Sequence, residues 1–405
     1  MQWTAAVVLV LAAGLTLRPP GPVSAKKPRH LAAEAQSQFG LDMYKTMTEH
    51  DKSGNLFFSP LSIGTALAMT YAGSGGNTSA QMESVMNFGQ RRSSVMRAHR
   101  ALLRRIKRRY SSVALRMTNR LYVARRMRLR GRFSRFMDRI FGAEIKQLAF
   151  NRPQEAASAI NSRVSEDTNG TISTLVEPYM INGATRLVLV NAVYFKGDWL
   201  SKFDRASTVP GTFHAPDGDR AVQMMQTKQP FPVGRLPKLK ARVLLLPYKG
   251  NKIHMMIILP FRKDGMATLE RGLAKTSLQE VFQAAKKPDR AFNIKMPRFK
   301  LDERIDLKRV LHTMGLKDLF DPGKADLSRI SRGGNLHVTD AIHKAVIEVN
   351  EEGTVASAVT AIKIGYRRLG PKPPPFVVDR PFFFALFDAG TGLTLFVGRV
   401  MDPTL

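Results

Sequence analysis

The sequence predicts a single α+β domain, on three observations. Apolar residues at helical spacing dominate the chain before residue 111, whereas short apolar runs rich in Val, Ile and Phe dominate it after residue 186. No linker rich in Pro, Gly or Ser divides the chain, apart from residues 367–375. Hydrophobic residues make up 44% of the 405 residues and there is no cysteine, so an apolar core rather than disulfides must hold the fold.

Three helices are predicted near the start of the chain. Residues 31–47 carry a helical pattern, and residues 61–71 form a second, apolar helix that the glycine-rich residues 73–77 end. Residues 95–110 carry apolar side chains on one face and arginines on the other. This last segment is therefore predicted to be an amphipathic helix.

The later segments are predicted to be strands, because their apolar runs are short and are bounded by Gly, Pro or Asp. The runs are residues 187–195, 243–246, 253–259, 345–349, 382–387 and 393–397. No internal repeat is present, so one mixed domain fits better than an array.

Residues 1–25 are predicted to be a signal peptide that is cleaved after Ala25. The segment has no acidic residue, and small residues precede the cleavage point. The 13-residue apolar run at residues 5–17 is too short to cross a bilayer, and Pro19 and Pro20 disfavour the alternative of a buried helix. The product is therefore expected to be secreted, extracellular and without a transmembrane segment.

The chain contains two N-glycosylation sequons, which matter if the protein is secreted. They are Asn77-Thr-Ser and Asn169-Gly-Thr, and both lie beside glycines. Asn77 and Asn169 are therefore candidate glycosylation sites on exposed loops.

The sequence carries no recognisable catalytic or cofactor motif. It lacks a His-Glu-x-x-His helix, a Gly-x-x-x-x-Gly-Lys phosphate loop and a Gly-x-Ser-x-Gly elbow. The eight histidines are scattered, and His337 and His343 share a face only if they lie on a strand, which is a weak metal signal. We therefore expect no enzymatic activity, no metal and no resident cofactor.

Residues 354–364 carry the main functional signal, because their pattern predicts a segment that is able to join a β-sheet as an additional strand. Alternate residues along the segment are small or apolar and include no proline or charge: Thr354, Ala356, Ala358, Thr360, Ile362 and Ile364. The segment follows Gly353 and leads to Tyr366-Arg367-Arg368 and a proline-rich stretch. We expect a strand-forming segment that ends in exposed arginines to be an accessible cleavage site for a protease. Cleavage would free one end of the segment to insert into a sheet.

Seven motifs spread over the chain resemble the serpin family and stand in the family's order. They are Asn55-Leu-Phe-Phe-Ser-Pro-Leu-Ser-Ile, Leu189-Val-Asn-Ala-Val-Tyr-Phe-Lys-Gly-Asp-Trp, Met296-Pro-Arg-Phe, Phe320-Asp-Pro-Gly-Lys-Ala-Asp-Leu-Ser, His343-Lys-Ala, Glu351-Glu-Gly-Thr, and Asp379-Arg-Pro-Phe with Phe396-Val-Gly-Arg. The resemblance implies one domain over residues 26–405, with three β-sheets, about nine helices and an exposed reactive-centre loop at residues 351–375.

The resemblance also implies a suicide-substrate mechanism. The family's hinge matches Glu351, Glu352, Gly353, Thr354, Ala356 and Ala358, and such small side chains are typical of inhibitory members. Counting along the loop at the family's usual spacing places the reactive bond between Arg367 and Arg368. An arginine there implies a trypsin-like serine protease, which is trapped as a covalent acyl-enzyme when the loop inserts. Cleavage after Arg368, Tyr366 or Lys363 is the alternative.

Five further residues match family positions around the central sheet. Ser59, Ser62, Asn191 and His343 match the polar cluster beneath the point where the sheet opens, and Trp199 matches a tryptophan near the point of loop entry. The alternative for the polar four is ordinary hydrogen bonding in a core. The rival function is a non-inhibitory serpin that acts as a polyanion-binding carrier or chaperone.

Residues 91–139 form a strongly basic region, with eighteen Arg or Lys against one acid, Asp138, in a chain of net charge +31. The helix at 95–110 stands at the position of the family's helix D, which binds heparin in antithrombin-like members. The candidate polyanion-binding residues are Arg97, Arg100, Arg104, Arg105, Lys107 and Arg108. We expect a monomer that binds heparin, a related glycosaminoglycan or another anionic surface, with heparin as an activator. Nucleic acid, or a solvated face without a ligand, is the alternative.

Overall fold

The computed structural model describes residues 28–89, 91–110, 112–354 and 374–405. Those residues form three β-sheets and nine α-helices, which confirms the expected serpin-like α+β architecture. The helices are α1 (Pro28–His50), α2 (Pro60–Gly73), α3 (Gly76–Val85), α4 (Arg92–Arg109), α5 (Gly131–Phe141), α6 (Pro153–Asp167), α7 (Met266–Leu273), α8 (Leu278–Ala284) and α9 (Leu307–Thr313). The strands are β1 (Leu56–Phe58), β2 (Ala114–Ala124), β3 (Ile145–Leu148), β4 (Leu187–Asp198), β5 (Val209–Ala215), β6 (Gly218–Gln229), β7 (Val233–Leu236), β8 (Ala241–Pro247), β9 (Ile253–Pro260), β10 (Phe292–Pro297), β11 (Phe299–Asp306), β12 (Asp340–Asn350), β13 (Gly353–Thr354), β14 (Pro375–Val377), β15 (Phe382–Asp388) and β16 (Leu393–Val400).

Sheet A has the strand order β11-β12-β13-β4-β2-β3. Strands β12 and β4 run parallel and pair directly over seven residue pairs, from Asp340 with Val188 to Val346 with Tyr194. Beyond Val346 the two strands separate, and the two-residue strand β13 lies between them. The junction of β12 and β4, which we call the seam, therefore lies in the middle of sheet A.

Sheet B is antiparallel, in the order β1-β16-β15-β9-β8-β7, and its central strands are buried on both faces. Every residue of β9, β15 and β16 is buried, which explains why these strands read as unbroken apolar runs. Sheet C has the order β14-β10-β6-β5. Because β14 follows soon after residue 373, the expected reactive-centre loop connects sheet A with sheet C.

Helix α2 lies between sheets A and B, against β2, β4 and β16. Ser59 caps it by accepting a hydrogen bond from the Ser62 backbone N–H at 3.1 Å, and Pro60 fits the first turn because no helical partner is needed there. Almost every residue of α2 is buried. A helix enclosed on all sides needs apolar residues all round, as the sequence at 61–71 has.

All nine segments that the sequence predicts as helix or strand are present, most of them with wider bounds. The amphipathic helix expected at 95–110 begins earlier, at Arg92. The sequence patterns miss β2, because this long strand carries Arg116 and Arg120 and lacks an apolar run. Among the described helices, none combines the length and the apolar character that crossing a bilayer requires.

A buried carboxylate ties the end of α4 to sheet B. Arg109 Nε and Nη2 donate to the two Asp388 side-chain oxygens at 3.0 and 3.1 Å, and the Tyr110 hydroxyl donates at 2.7 Å. The Gly390 backbone N–H adds a fourth bond at 2.8 Å. Asp388 is fully buried, so these donors replace the water that its charge would otherwise bind.

Replacing Asp388 with Ala should destabilise the protein by about 3 kcal/mol, because Arg109 and Tyr110 would lose their buried partner. The measurement is the free energy of unfolding in urea. Asp264 is a matched control, since it also pairs bidentately with an arginine, Arg262, but in open solvent. Asp264→Ala should leave stability unchanged, and an equal loss in both variants would contradict the anchoring role of Asp388.

Candidate functional site

The hinge forms a tight turn that leads back into sheet A. Strand β12 ends at Asn350, and Gly353 and Thr354 return between β12 and β4 as β13. The Thr354 side chain is fully buried, and its Oγ1 lies 3.0 Å from the Tyr248 hydroxyl oxygen. The first residues of the hinge therefore already lie inside the sheet.

Gly353 is the residue that permits this turn. Its φ is +142°, a backbone conformation that residues with a side chain rarely adopt. A Cβ at this position would lie 2.1 Å from the carbonyl oxygen of Gly197 on β4. Any other residue would push β13 out of its place.

Two carboxylates hold the turn from outside the sheet. Glu351 is buried and pairs with Arg298 Nη2 at 2.5 Å, and the Thr208 hydroxyl also donates to it. Burial opposes ionisation of Glu351, but the hydrogen bonds from Arg298 and Thr208 outweigh it and hold the pKa of this carboxyl below its usual value. Glu352 pairs with Lys202 and lies 3.7 Å from Arg205 Nε.

Trp199 lies where β4 and β12 part, as the family resemblance implies. Its indole Nε1–H donates to the Asn350 carbonyl oxygen at 2.9 Å, and its backbone N–H donates to the Glu352 carbonyl oxygen at 2.9 Å. The indole also stacks on Tyr248 with ring centroids 4.5 Å apart. The tryptophan therefore fixes the path of the chain through the turn.

Ser59, Ser62, Asn191 and His343 meet beneath the seam in one closed hydrogen-bond network. His343 on β12 stands directly opposite Asn191 on β4, and its Nδ1 contacts Asn191 Oδ1. The Ser59 backbone N–H donates to His343 Nε2 at 3.1 Å, and Asn191 Nδ2 donates to Ser62 Oγ at 2.8 Å. The Ser59 hydroxyl completes the network by donating to the Leu395 carbonyl oxygen at 2.7 Å.

This network needs a neutral His343. Because Nε2 accepts from a backbone N–H, the single proton must sit on Nδ1, where Asn191 accepts it. His343 is fully buried, and this burial lowers its pKa to about 3. The side-chain hydrogen bond between His343 on β12 and Asn191 on β4 therefore links the two strands of the seam.

Sequence reasoning missed three members of the site. Asn119 on β2 contacts Ser62 and Asn191 and extends the network across a third strand, but it lies in a basic segment without a recognisable pattern. Tyr248 follows a buried strand and gives no polar signal. Arg298 belongs to the Met296-Pro-Arg-Phe motif, whose partner Glu351 is visible only in three dimensions.

Helix α4 presents unpaired arginines to solvent. Arg97, Arg104 and Arg108 are exposed, Arg100 and Arg105 are half-buried, and none of them forms an ion pair with a described residue. Arg109 differs, because Asp388 neutralises it. A cavity of about 560 Å³ opens beside the helix, with Leu102 and Thr391 in its wall and Arg104, Arg105, Arg108 and Arg109 around it.

The two sequons lie in different settings. Asn169 lies in an exposed turn after α6, as expected. Asn77 lies in the first turn of α3 rather than in a loop, so that part of the prediction is wrong. The reason is that the glycines before Asn77 both end α2 and start α3, so no longer loop separates the two helices. The Asn77 side-chain amide donates to Asp318 Oδ2 at 2.6 Å.

Several predicted residues lie outside the described residues. They are the leader at 1–25, the hinge residues Ala356 and Ala358, and the reactive-bond residues Arg367 and Arg368; the side chain of Lys107 is also not described.

Stability should fall as the pH drops from 7 to 5. The folded-state pKa of His343 is about 3, whereas the unfolded chain binds a proton near pH 6.5, so acid favours the unfolded state. This group alone should cost about 2 kcal/mol between pH 7 and pH 5. Urea unfolding at both pH values measures the effect. His343→Gln should remove that part of the pH dependence, and an unchanged dependence would contradict the assignment.

Comparisons with known proteins agree with this geometry. Leukocyte elastase inhibitor of Sus scrofa is 36% identical over 375 residues, covering 91% of this chain and 98% of that protein. Serpin B6 of Macaca fascicularis is 36% identical over 375 residues, covering 92% and 99%. The crystal structure of native protease nexin-1 with heparin matches with a TM-score of 0.83 at 30% identity, covering 93% of this chain and 100% of that chain.

The prediction of a secreted, extracellular protein is wrong. Leukocyte elastase inhibitor and serpin B6 are intracellular clade B serpins, and they match this chain over nearly their whole length. The prediction depended on the short apolar run at residues 5–17, which lies outside the described residues. An apolar run of this length is compatible with a signal peptide and also with a buried helix, so the run does not establish the compartment.

The family-level assignment depends on agreement between sequence and fold. A family model described as Serpin (serine protease inhibitor) matches residues 34–403. The relatives, the three-sheet fold and the hinge that enters the middle of sheet A all agree with that match. This chain belongs to the serpin family of serine protease inhibitors.

Proposed function

We propose that this chain inhibits a trypsin-like serine protease by acting as a suicide substrate that is cleaved after Arg367. The observation that supports it is the position of the hinge: Thr354 already lies between β12 and β4, at the end of the seam. A strand that continued from Thr354 would run along the seam itself. The small residues at Ala356 and Ala358 are compatible with such burial.

The covalent step is an acyl transfer to the protease. The serine Oγ of the protease attacks the carbonyl carbon of Arg367, the bond to the Arg368 nitrogen breaks, and the leaving amine takes a proton from the protease's histidine. Arg367 is then held as an ester. Its guanidinium selects proteases that carry a carboxylate in the primary pocket.

The driving force for loop insertion is a gain in strand pairing: the single pairing of β12 with β4 is replaced by two pairings of the inserted strand, one with β12 and one with β4. Insertion must separate the seven residue pairs of the seam, after which the new strand pairs with both β12 and β4. The insertable residues also leave water. Because His343 and Asn191 stand on opposite sides of the seam, their hydrogen bond must break as the sheet opens, so we assign this network a gating role.

A stable complex with trypsin is the first expected outcome. Incubation with trypsin should give a covalent complex that survives boiling in detergent, and it should release a C-terminal fragment whose new N-terminus is residue 368. Arg367→Ala should reduce complex formation with trypsin at least about tenfold, because the pocket loses its charged partner. The matched variant Arg368→Ala should still form the complex.

A second variant separates inhibition from simple cleavage. Thr354→Arg places a charge in a fully buried position, which insertion cannot tolerate. This variant should be cut after Arg367 without a stable complex. Clean cleavage of the unmodified protein, with no complex and no rise in melting temperature, would instead support the non-inhibitory carrier.

We also propose that the exposed face of α4 binds a sulfated polyanion such as heparin, which acts as an activator of inhibition. The support is a set of arginines without carboxylate partners beside a cavity, on a helix held firmly by Asp388. Guanidinium groups bind sulfate bidentately, and binding releases counterions. The matching structure of protease nexin-1 was solved with heparin, and that serpin is similar to this chain over most of its length.

The combined change of Arg100, Arg104, Arg105 and Arg108 to Ala should weaken heparin binding. Elution from immobilised heparin should need less salt, and the slope of log affinity against log salt should decrease by about three. The matched control changes Lys238, Lys286, Lys287 and Arg290 to Ala, which removes the same charge from another exposed region. Equal elution of the two variants would contradict the proposed site.

A further inference from the structure

A second set of arginines is assembled from two segments that are far apart in sequence. Arg125, Arg126, Arg128 and Arg130 follow β2, and Arg329 and Arg332 follow α9 by some sixteen residues or more. All six side chains are exposed, and none of them forms an ion pair with a described residue. We call these six residues the second arginine surface.

Backbone bonds hold the two segments side by side. The Arg130 backbone N–H donates to the Ile330 carbonyl oxygen at 2.8 Å, and the Arg332 N–H donates to the Arg128 carbonyl oxygen at 3.0 Å. The Ser331 hydroxyl also donates to the Arg128 carbonyl oxygen, at 3.1 Å. The six positively charged guanidinium groups repel one another electrostatically. The backbone hydrogen bonds oppose this repulsion and hold the two segments close together.

Buried side chains fix the same two segments from below. Leu327 and Ile330 belong to the main apolar core, and Ser331 is also buried. On the other side, the Gln147 side-chain amide donates to the carbonyl oxygens of Arg125 and Met127 at 3.0 and 2.7 Å. The arginines therefore project from a rigid base, which lowers the entropy lost when an anion binds.

Helix α5 connects this surface with α4. Arg132, Arg135 and Arg139 are exposed and recur at spacings of three and four, so they form one stripe along the helix. The helix has eleven residues and therefore spans about 16 Å. Its last residue, Phe141, has its ring 6.5 Å from that of His99 in the middle of α4.

We propose that the second arginine surface binds the far end of the same sulfated polysaccharide chain that the α4 face binds, with the α5 stripe between them. This inference rests on the proposed polyanion function of α4 and adds a requirement for ligand length. Three sets of exposed or half-buried arginines without ion-pair partners among the described residues, on α4, on α5 and on the second arginine surface, support one extended ligand rather than a compact anion. All nine groups of the second arginine surface and the α5 stripe are guanidinium rather than ammonium, which suits bidentate contact with sulfate.

The test compares a short heparin oligosaccharide, full-length heparin and a short duplex DNA. Changing Arg126, Arg128, Arg329 and Arg332 to Ala should weaken full-length heparin binding by about tenfold or more and lower its salt slope by about three. Binding of the short oligosaccharide, which fits on the α4 face, should not change. The control that changes Lys238, Lys286, Lys287 and Arg290 removes equal charge, and melting temperatures of both variants check the fold.

Three outcomes would overturn the inference, and they are distinguishable. If this variant binds full-length heparin as the control does while the α4 variant still loses affinity, the second surface is not used and the α4 proposal stands. If neither variant loses affinity, the α4 proposal fails as well. If the variant loses affinity for duplex DNA but keeps it for heparin, the surface takes a nucleic acid and the polysaccharide assignment fails.

Discussion

The parallel pairing of β12 with β4 is the contact on which the rest of the structure depends. It closes the middle of sheet A over seven residue pairs and gives way to a third strand at one end only. A seam of this kind is stable as long as nothing competes for its edges. In the proposed mechanism the competitor is residues 355–364, which follow Thr354 directly in the chain.

The side chains around the seam divide into those that close it and those that hold its open end. His343 and Asn191 bridge the closed part, and their network reaches α2 through Ser59 and Ser62. At the open end, Trp199 and the carboxylates of the hinge hold the turn by hydrogen bonds and ion pairs. The two groups act on the same strands, so in the proposed mechanism a change at either one shifts the ease of opening.

Sequence patterns predict the fold well where burial is uniform and poorly where it is mixed. Strands β9, β15 and β16 are buried throughout, and each reads as an apolar run. Strand β2 is half-buried and carries arginines, so no period is visible. Motifs locate Ser59, Asn191 and His343, but they cannot show Asn119 or Tyr248, whose roles arise from contacts across strands. Likewise, Arg329 and Arg332 join the basic region only through the fold.

The early entry of Thr354 has a kinetic consequence. Starting a strand requires a search for the correct register and fixes the chain before many bonds can form, whereas extending a strand adds bonds at an end that is already ordered. Thr354 is paired on both sides, so in the proposed mechanism the new strand already has an ordered end before the loop is cut. In the proposed mechanism, insertion then extends β13 residue by residue in the register that Thr354 already has. In that register every second residue after Thr354 points inward, and Lys363 points outward.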